Sequence, residues 1–463
     1  MGERVIIVSG DGHAQAPPER WAEYVPKAFH EHLPSLHEES VIFRNVMGLF
    51  IDQVSDKRIL EFDRDGAYRS GGVRGVFDLD TRLYEMDREG IAAEFVYNGD
   101  NRFPNIFFGT SNRHYPVDVC EAGVQAYHRW VLDAFGSAPD RLRLVGAIGS
   151  GPCAHPERDL AELDWIADHG FVATSIPGFT GYPGQLPLSD RHWDPFWATC
   201  EARGLTLWVH AGHGEMQGFI GDEVSRIHAE FQASGESFDQ MISHLTSDVL
   251  NEELFSSARP RRPMWQLMFG GVFDRFPGLR LMLNEVRADW MPPVMAYLDR
   301  FYDEHRDDLP AKRKPSEYWA SNCMSCLSFV HRSEIEMRHE IGVETLCFGR
   351  DYPHQEGTWP NTRVWLQDAL QGVPEHEARG ILGENVIERL GLDRAPLASI
   401  AERIGPTIDE VLAPPTDLDP LLLQHMADRG GYLKPAEWDA KLPSIEQMVE
   451  EDLAAVVAGP GGI

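Results

Sequence analysis

The stretch Val5-Ile6-Ile7-Val8-Ser9-Gly10-Asp11-Gly12-His13 decides how the rest of this sequence is interpreted. Its first four residues are β-branched and apolar, which predicts a buried strand. The glycines then allow the backbone to turn sharply where the strand ends. We therefore expect Asp11 and His13 to project from the carboxyl end of the strand, and both side chains can bind a metal ion. An Asp-x-His pair alone has an ordinary alternative, in which the carboxylate caps backbone groups beside a surface histidine.

The composition is that of a soluble globular protein with a strong acidic excess. The chain has 463 residues, and 42 basic against 73 acidic side chains give a net charge of −31. This charge repels phosphate backbones and anionic membranes, so we expect a small-molecule substrate and no nucleic-acid or membrane partner. No basic segment with a long apolar core precedes Val5, and no apolar run is long enough to span a bilayer. These features favour a cytoplasmic protein.

The six cysteines are dispersed along the chain, which predicts reduced and mostly buried thiols. Cys323-Met324-Ser325-Cys326 has the spacing of a redox or zinc motif. No second pair of this spacing exists, and the segment has the character of a strand, so buried thiols are the favoured interpretation.

Helices alternate with short apolar strands along most of the chain, which predicts an α/β protein with a parallel sheet. The predicted helices include a long helical region beyond residue 215, which ends in a helix over 265–276, and a helix over 333–341. Together with the first strand, the predicted strands number eight, which indicates a closed (β/α)8 TIM barrel; the other seven lie at 91–97, 142–148, 171–176, 205–210, 279–285, 324–329 and 345–349. We predict a barrel domain over residues 1–393, with an insertion at about 14–80 over its mouth. Residues 394–463 are predicted to form a helical extension that packs on the barrel or on a second subunit of a homo-oligomer.

Metal-competent residues also follow two later strands of the predicted barrel. The fifth strand ends in Trp208-Val209-His210, and the eighth is followed by Gly349-Arg350-Asp351. Because the carboxyl ends of barrel strands meet at one face, Asp11, His13, His210 and Asp351 should converge. Two imidazoles and two carboxylates around an open position are the ligands expected for one catalytic Zn²⁺, and Mn²⁺ also fits because half of the ligands are oxygens.

At this point the sequence resembles the amidohydrolase superfamily, in the amidohydrolase-related branch (amidohydrolase 2) that includes aminocarboxymuconate-semialdehyde decarboxylase-like proteins. The resemblance runs from about Val5 to Leu392. It implies a metal held by the first-strand pair, by His210 and by Asp351. The motifs that carry it are Asp11-Gly12-His13, Arg82 to Ile91 (RLYEMDREGI), Trp208-Val209-His210, Phe276 to Leu281 (FPGLRL), Gly349 to His354 (GRDYPH) and Ile381 to Asn385 (ILGEN).

The chain departs from common family patterns at three places. Asp11 stands where many relatives have the first histidine of His-x-His, which matches the acidic variants and makes the site more negative. No lysine follows the fourth strand, so a binuclear centre with a carbamylated lysine is not expected. The sixth strand ends in Asn284-Glu285, where the known decarboxylases of the family have a histidine motif.

We first predict a metal-dependent hydrolase of a small organic amide, ester or related acyl bond. In that mechanism a metal-activated water attacks the carbonyl, and Asp351 acts as general base and then as general acid. The alternative is a metal-dependent, non-oxidative decarboxylase of an aromatic or unsaturated carboxylic acid. A third interpretation is a non-catalytic binding protein on the same barrel.

Four further residues are candidates for the site, each with a structural alternative. His213 and Glu285 are predicted as catalytic acids, and Glu285 could also support a metal-binding histidine from behind. The structural alternatives are a bond from His213 to the backbone and an ion pair of Glu285 with Arg287. His354 and Arg350 are predicted to contact substrate. His354 could instead orient its loop, and Arg350 could point into the helix layer, since adjacent strand residues face opposite ways.

Aromatic residues follow the second and fourth strands, in Arg102 to Phe108 (RFPNIFF) and Phe179 to Pro183 (FTGYP). We predict that Phe107, Phe179 and Tyr182 wall a pocket for an apolar or ring-bearing substrate. Packing between loops, or against another subunit, would explain them equally well.

Overall fold

The protein folds as a parallel barrel surrounded by helices, as predicted. The computed structural model describes residues 4–36, 63–99, 105–108, 115–150, 153–178, 186–211, 233, 235, 259–328, 330–354, 357–416, 420, 422 and 438–458. Eight strands follow one another in chain order, and all neighbouring pairs are parallel. They are β1 Ile7–Ser9, β2 Ile91–Asn98, β3 Leu142–Gly146, β4 Ala173–Ser175, β5 Thr206–Val209, β6 Leu281–Asn284, β7 Cys323–Leu327 and β8 Leu346–Phe348.

The barrel closes between its first and last strands. The Gly10 amide donates to the Phe348 carbonyl at 2.7 Å, and the Asp351 amide donates to the Asp11 carbonyl at 3.2 Å. A side chain at Gly10 would not fit this seam, because its Cβ would lie 2.9 Å from Cys326 Sγ. Beyond β1, the two residues His13–Ala14 pair with the end of β2. Closure therefore brings the segments that follow β1 and β8 side by side.

Helices cover the outside of the barrel, and at least one described helix lies between each strand and the next. The helix bounds are α1 Leu79–Glu89, α2 Val117–Phe135, α3 Pro156–Asp168, α4 Asp194–Arg203, α5 Arg262–Phe269, α6 Val272–Arg275, α7 Met291–His305, α8 Pro315–Asn322, α9 Arg332–Glu336, α10 Arg338–Ile341, α11 Thr362–Ala369, α12 Glu375–Arg379, α13 Asn385–Leu390, α14 Arg394–Ile404, α15 Ile408–Leu412 and α16 Trp438–Ala458.

Local sequence explains why α1 begins and ends where it does. The Asp78 carboxylate accepts a hydrogen bond from the Thr81 amide at 2.8 Å, which satisfies a free donor of the first turn. Gly90 ends the helix with a φ of 77°, a left-handed conformation that costs glycine little. β2 starts at the next residue and is buried along its whole length. This short connection fixes how α1 packs on the barrel.

Two predicted helices are each divided in the structure. The helix predicted over 265–276 is broken at Gly270 and Gly271, and Gly271 has a φ of 63°. The helix predicted over 333–341 is divided into α9 and α10 at Met337. Most of the long helical region predicted beyond residue 215 lies outside the described residues. Residues 37–62 of the predicted insertion also lie outside them. The described parts of the insertion include short 3-10 helices at Pro18–Glu23, Lys27–His32 and Gly72–Val76.

The C-terminal extension packs on the barrel at two places. Leu397, Ile400 and Ala401 of α14 join the apolar cluster that fills the barrel interior, so α14 covers the amino-terminal end of the barrel. Helix α16 packs on α5, where the Asp452 carboxylate accepts hydrogen bonds from Arg262 and Trp265. The division of the chain at residue 393 stays a prediction.

All six cysteines are buried and free of disulfide bonds, as predicted. Cys323 and Cys326 both lie within β7. Residues three apart on a strand face opposite sides, so this pair does not form a zinc motif. Within the described part of the chain, none of the helices has the length and apolar character needed to cross a membrane.

Candidate metal centre

Four predicted ligands come together at the carboxyl end of the barrel. Asp11 and His13 follow β1, His210 follows β5 directly, and Asp351 lies three residues beyond β8. Asp11 Oδ1 lies 3.6 Å from His13 Nε2 and 3.5 Å from His210 Nε2. His13 Nε2 lies 3.0 Å from Asp351 Oδ1. The four side chains therefore lie next to one another at three strand ends: the ligand atoms of Asp11, His13 and His210 lie within 4.8 Å of one another, and His13 connects this group to Asp351. Their role as metal ligands stays a prediction.

The atoms that face one another in this constellation lack ordinary partners. Asp11 Oδ1, His13 Nε2, His210 Nε2 and both carboxylate oxygens of Asp351 are buried and make no hydrogen bond to the described residues. Buried polar atoms are nearly always satisfied, so a group of converging exceptions indicates a ligand. The donors are imidazole nitrogens and carboxylate oxygens, which suit Zn²⁺ or Mn²⁺. These residues fit a divalent cation.

Contacts behind the two imidazoles orient their nitrogens toward the centre. His13 Nδ1 lies 3.2 Å from the Asn98 carbonyl oxygen, which can only accept, so Nδ1 is the hydrogen-bond donor. His210 Nδ1 lies 2.9 Å from Glu285 Oε2. In each ring Nδ1 then donates a hydrogen bond, so Nε2 is the nitrogen that a metal ion would bind in place of a proton.

Glu285 reaches His210 through an unusual backbone conformation. Its φ is 56°, in the left-handed region that side chains rarely adopt, and its amide donates to Ser328 Oγ at 3.2 Å. Ser328 in turn donates to Asp11 Oδ2. The alternative pairing of Glu285 with Arg287 is not observed, because Arg287 makes a two-pronged contact with Asp289 at 3.0 and 2.9 Å.

The electrostatics of the centre reflect three carboxylates and several imidazoles held in a buried space. Burial, with the neighbouring His354 and His210, lowers the pKa of His13 well below its ordinary value. Burial also opposes the charged form of His210, but Glu285 and Asp11 raise the pKa of His210 well above its ordinary value. Burial raises the pKa of Asp351 well above its ordinary value. His354 lowers this pKa, and Glu285 raises it further. A divalent cation would relieve the repulsion among these carboxylates.

His354 lies closer to the centre than the sequence indicated. Its ring stacks on His13 with the centroids 4.1 Å apart, and its Nδ1 lies 3.0 Å from Asp351 Oδ1. His13, Asp351 and His354 form a second group whose ligand atoms lie within 4.8 Å of one another. His354 thus contacts the candidate ligands directly, and its predicted contact with substrate stays a prediction.

The contacts of Arg350 differ from the substrate contact predicted from the sequence. Its guanidinium is fully buried and pairs with Glu94 on β2 and Glu89 on α1. The structure therefore supports the alternative, in which Arg350 points away from its neighbour Asp351.

The predicted aromatic wall is only partly described. Phe107 is fully buried and packs against Tyr115, with the ring centroids 4.9 Å apart, which fits the alternative of packing between loops. Phe179 and Tyr182 lie outside the described residues, and so does the predicted acid His213.

Several residues that shape the centre were missed by sequence reasoning. Ser328 donates a hydrogen bond to Asp11 Oδ2, and the Asn98 carbonyl accepts one from His13 Nδ1. Arg82 donates to the His13 carbonyl at 2.7 Å. The only signal for these residues was their position: Asn98 ends β2, and Ser328 follows β7. Arg82 lay within a quoted family motif, but nothing in the motif indicated its partner.

With this geometry established, comparison with known proteins identifies the class of protein. The model of the amidohydrolase family matches residues 72–392, and the chain belongs to this family of enzymes. Two curated relatives are γ-resorcylate decarboxylases. The one from Rhodococcus jostii is 26% identical over 233 residues, which is 47% of this chain and 62% of the relative. The one from Polaromonas sp. is 24% identical over 238 residues, 49% of this chain and 64% of the relative. The matches thus span less than two thirds of these relatives' length.

Solved structures share the fold at low sequence identity. An amidohydrolase from Mycobacterium avium subsp. paratuberculosis superimposes with a TM-score of 0.56 at 17% identity, covering 84% of this chain and 100% of that one. For 5-carboxyvanillate decarboxylase from Sphingomonas paucimobilis the TM-score is 0.52 at 17% identity, with the same coverage. A dihydroxybenzoic acid decarboxylase from Polaromonas sp., solved with manganese and 2-nitroresorcinol, gives 0.51 at 17% identity and covers 86% and 99%.

Proposed function

We propose that this protein is a metal-dependent, non-oxidative decarboxylase of a hydroxylated aromatic carboxylic acid. The observation that carries the proposal is the set of buried, unsatisfied ligand atoms on Asp11, His13, His210 and Asp351, in which His13 belongs to both groups of adjoining ligands. Both curated relatives reported above are decarboxylases of an aromatic acid, which favours this alternative over the acyl-bond hydrolase predicted first. Asn284-Glu285 in place of the decarboxylase histidine motif is the feature that the proposal must accommodate.

The cation would be held by Asp11, His13, His210 and Asp351, with Glu285 and Asn98 fixing the two imidazoles. When bound, the cation would supply Lewis-acid chemistry toward oxygen groups of the substrate. We propose Mn²⁺ as the first ion to test, because the Polaromonas structure contains manganese, and Zn²⁺ as the second. Homo-oligomeric assembly and a cytoplasmic location stay predictions from the sequence.

The residues around the centre would move the proton that the reaction requires. Decarboxylation breaks the bond between a ring carbon and the carboxylate, CO₂ leaves, and the electron pair left on the ring carbon takes up one proton. Asp351 holds the cation as a carboxylate, so it would pass on this proton after receiving it from a neighbouring group. His354 is positioned to restore it, because its Nδ1 lies 3.0 Å from Asp351 Oδ1. Burial of these groups limits access of water.

The test is to incubate the Mn²⁺-loaded and Zn²⁺-loaded protein with γ-resorcylate, 5-carboxyvanillate and related hydroxybenzoates in D₂O. We expect release of CO₂ and incorporation of one deuterium at the carbon that carried the carboxylate. Asp351→Asn should abolish CO₂ release, whereas Asp452→Asn, on the distant helix α16, should retain it.

The same samples separate decarboxylation from hydrolysis. Incorporation of solvent oxygen-18 into a product acid from amide or ester substrates, without CO₂ release from any hydroxybenzoate, would replace this proposal with the hydrolase. Turnover of neither class, with metal bound, would contradict both and favour a binding function.

A further inference from the structure

A buried ionic cluster lies against the loops that carry the candidate ligands. We define the ion cluster as Arg82 and Glu89 of α1, Glu94 of β2, and Arg350 after β8. Arg82 Nε donates to Glu94 Oε2 at 2.6 Å, Arg350 Nη2 donates to the same oxygen at 3.2 Å, and Arg350 Nη1 donates to Glu89 Oε2 at 3.1 Å. The side chains are between 0% and 3% exposed, so solvent does not compensate their charges.

The ion cluster is bonded directly to the backbone around the first-strand ligands. Arg82 Nη1 donates to the His13 carbonyl at 2.7 Å. The Arg350 amide donates to Ser9 Oγ at 2.9 Å, and Ser9 Oγ donates to the Asp11 carbonyl at 2.6 Å. Each of the two first-strand ligands is therefore one or two hydrogen bonds away from an arginine of the cluster.

Gly12, between the two ligands, is in contact with the same cluster. A Cβ at Gly12 would lie 2.6 Å from Glu94 Cδ and 2.9 Å from Arg82 Nη2. Only glycine allows the Glu94 carboxylate to approach the backbone of this loop so closely. The loop and the cluster thus have complementary shapes as well as hydrogen bonds.

Tyr352 connects the ion cluster to the eighth-strand ligand. Its ring lies close to both guanidinium groups, with Arg82 4.4 Å and Arg350 4.7 Å from the ring centroid. Its carbonyl accepts a hydrogen bond from the His13 amide at 2.6 Å, and its neighbour in the chain is Asp351. The cluster therefore contacts both loops whose ligands must meet at the metal.

The cluster carries two positive and two negative charges, so it adds no net charge beneath the cation. Its effect on the metal must then come through geometry, by fixing the distance between the loops after β1 and β8. Burying four charged groups is expensive and is a poor source of stability alone. Satisfied buried networks do, however, hold one arrangement in preference to others.

We propose that the ion cluster positions Asp11, His13 and Asp351, which makes Glu94 and Arg350 positioning residues for the metal centre. The inference rests on the proposed function, in that it assumes the metal site. It assigns Arg350 a role that a charge alone could not fill, because one guanidinium contacts two carboxylates at once.

The experiment measures metal binding without any substrate. Variants Glu94→Gln, Arg350→Lys, Arg350→Met and Ser9→Ala are compared with the parent by the Kd for Mn²⁺ in a chelator competition, and by the visible spectrum of the Co²⁺-loaded protein. Ser9→Ala keeps the whole ion cluster and removes only one link to Asp11, so it provides a mild variant if a charge substitution prevents folding. Asp452→Asn is the matched control, because it disrupts a contact between a carboxylate and an arginine outside the ion cluster, where α16 packs on α5.

We expect the Kd for Mn²⁺ to rise by about 10- to 100-fold in the Glu94 and Arg350 variants, with an altered Co²⁺ spectrum. Arg350→Lys should not restore the parent value, and Asp452→Asn should lower Tm while leaving Kd and spectrum unchanged. Parent-like Kd and spectrum in Arg350→Lys and Ser9→Ala, or tighter binding in Arg350→Met, would overturn the inference, since affinity would then not depend on the geometry of the cluster. A parent protein that binds no metal would instead refute the proposed site itself.

Discussion

Replacing Glu285 by alanine tests whether the contact behind His210 sets the affinity for metal. In the structure Glu285 Oε2 lies 2.9 Å from His210 Nδ1 and fixes the tautomer that leaves Nε2 available. Loss of such a partner typically weakens metal binding by about 10- to 100-fold. His210 Nδ1 also lies 3.3 Å from the Ala211 carbonyl, which can accept the same proton when Glu285 is absent. We therefore expect the lower end of that range, about tenfold, which corresponds to about 1.4 kcal/mol.

The dependence on pH gives a second, independent expectation. Burial opposes the charged form of His210, yet Glu285 raises the pKa of this group, so removing Glu285 lowers it. Protons compete with the cation for His210 Nε2. Because the pKa of His210 is higher in the parent than in Glu285→Ala, lowering the pH weakens metal binding more in the parent. The difference in Kd between the parent and Glu285→Ala should therefore narrow below neutral pH.

The assay is a calorimetric titration of metal-free protein with Mn²⁺, carried out at pH 8 and at pH 6. Glu285→Gln retains an amide oxygen as acceptor and should fall between the parent and Glu285→Ala. Asp289→Asn is the matched control, since it removes a buried carboxylate of the same loop whose described partner is Arg287. Equal Kd values for the parent and Glu285→Ala at pH 8, with Asp289→Asn also unchanged, would refute the role given to Glu285.

Three further expectations follow from the described contacts. Elemental analysis should find about one equivalent of metal in the parent and almost none in Asp11→Ala or His210→Ala, and metal retained in both variants would refute the ligand set. Gly12→Ala places a Cβ 2.6 Å from Glu94 Cδ, so Tm should fall and Mn²⁺ binding should weaken together; an unchanged Tm would contradict the tight fit. Burial and nearby carboxylates raise the pKa of Asp159 to about 7. The folded state then holds a proton that the unfolded chain loses near pH 4, so this group makes stability fall as the pH rises from about 4 to 7. Asp159→Asn should therefore increase the urea midpoint at pH 8 and change it little at pH 4.

The barrel and the approach of the four candidate ligands to one another were predictable, because each depends on signals within single strands and helices that add up along the chain. The apolar run before Asp11 defines a strand, and the alternation of strands and helices defines the barrel. The carboxyl ends of its strands then have to meet. No side-chain geometry was needed for this step, since Asp11, His210 and Asp351 each follow a strand directly or within three residues.

Contacts between distant segments were not predictable in the same way. Arg350 was assigned to the substrate because it neighbours Asp351, but Asp351 has a φ of 51° and the two side chains have different partners. The sequence allowed Glu285 to support a metal-binding histidine or to pair with Arg287, and it could not decide between them. The observed contact with His210 depends on a left-handed backbone at Glu285, for which a glutamate gives no sequence signal. The breaks at Gly271 and Met337 were missed because helical periodicity continues across them.

The six buried thiols make this enzyme its own reporter of local opening. Cys120 and Cys200 lie on helices α2 and α4, whereas Cys323, Cys326 and Cys347 lie on the last two strands. Burial raises the pKa of Cys153, Cys200, Cys323 and Cys326, so in the folded state these thiols are both shielded and poor nucleophiles. Alkylation at each position must therefore wait until its own layer of the barrel opens. Timed labelling, followed by peptide mass analysis, would distinguish local unfolding of the outer helices from unfolding of the barrel strands next to the candidate metal centre.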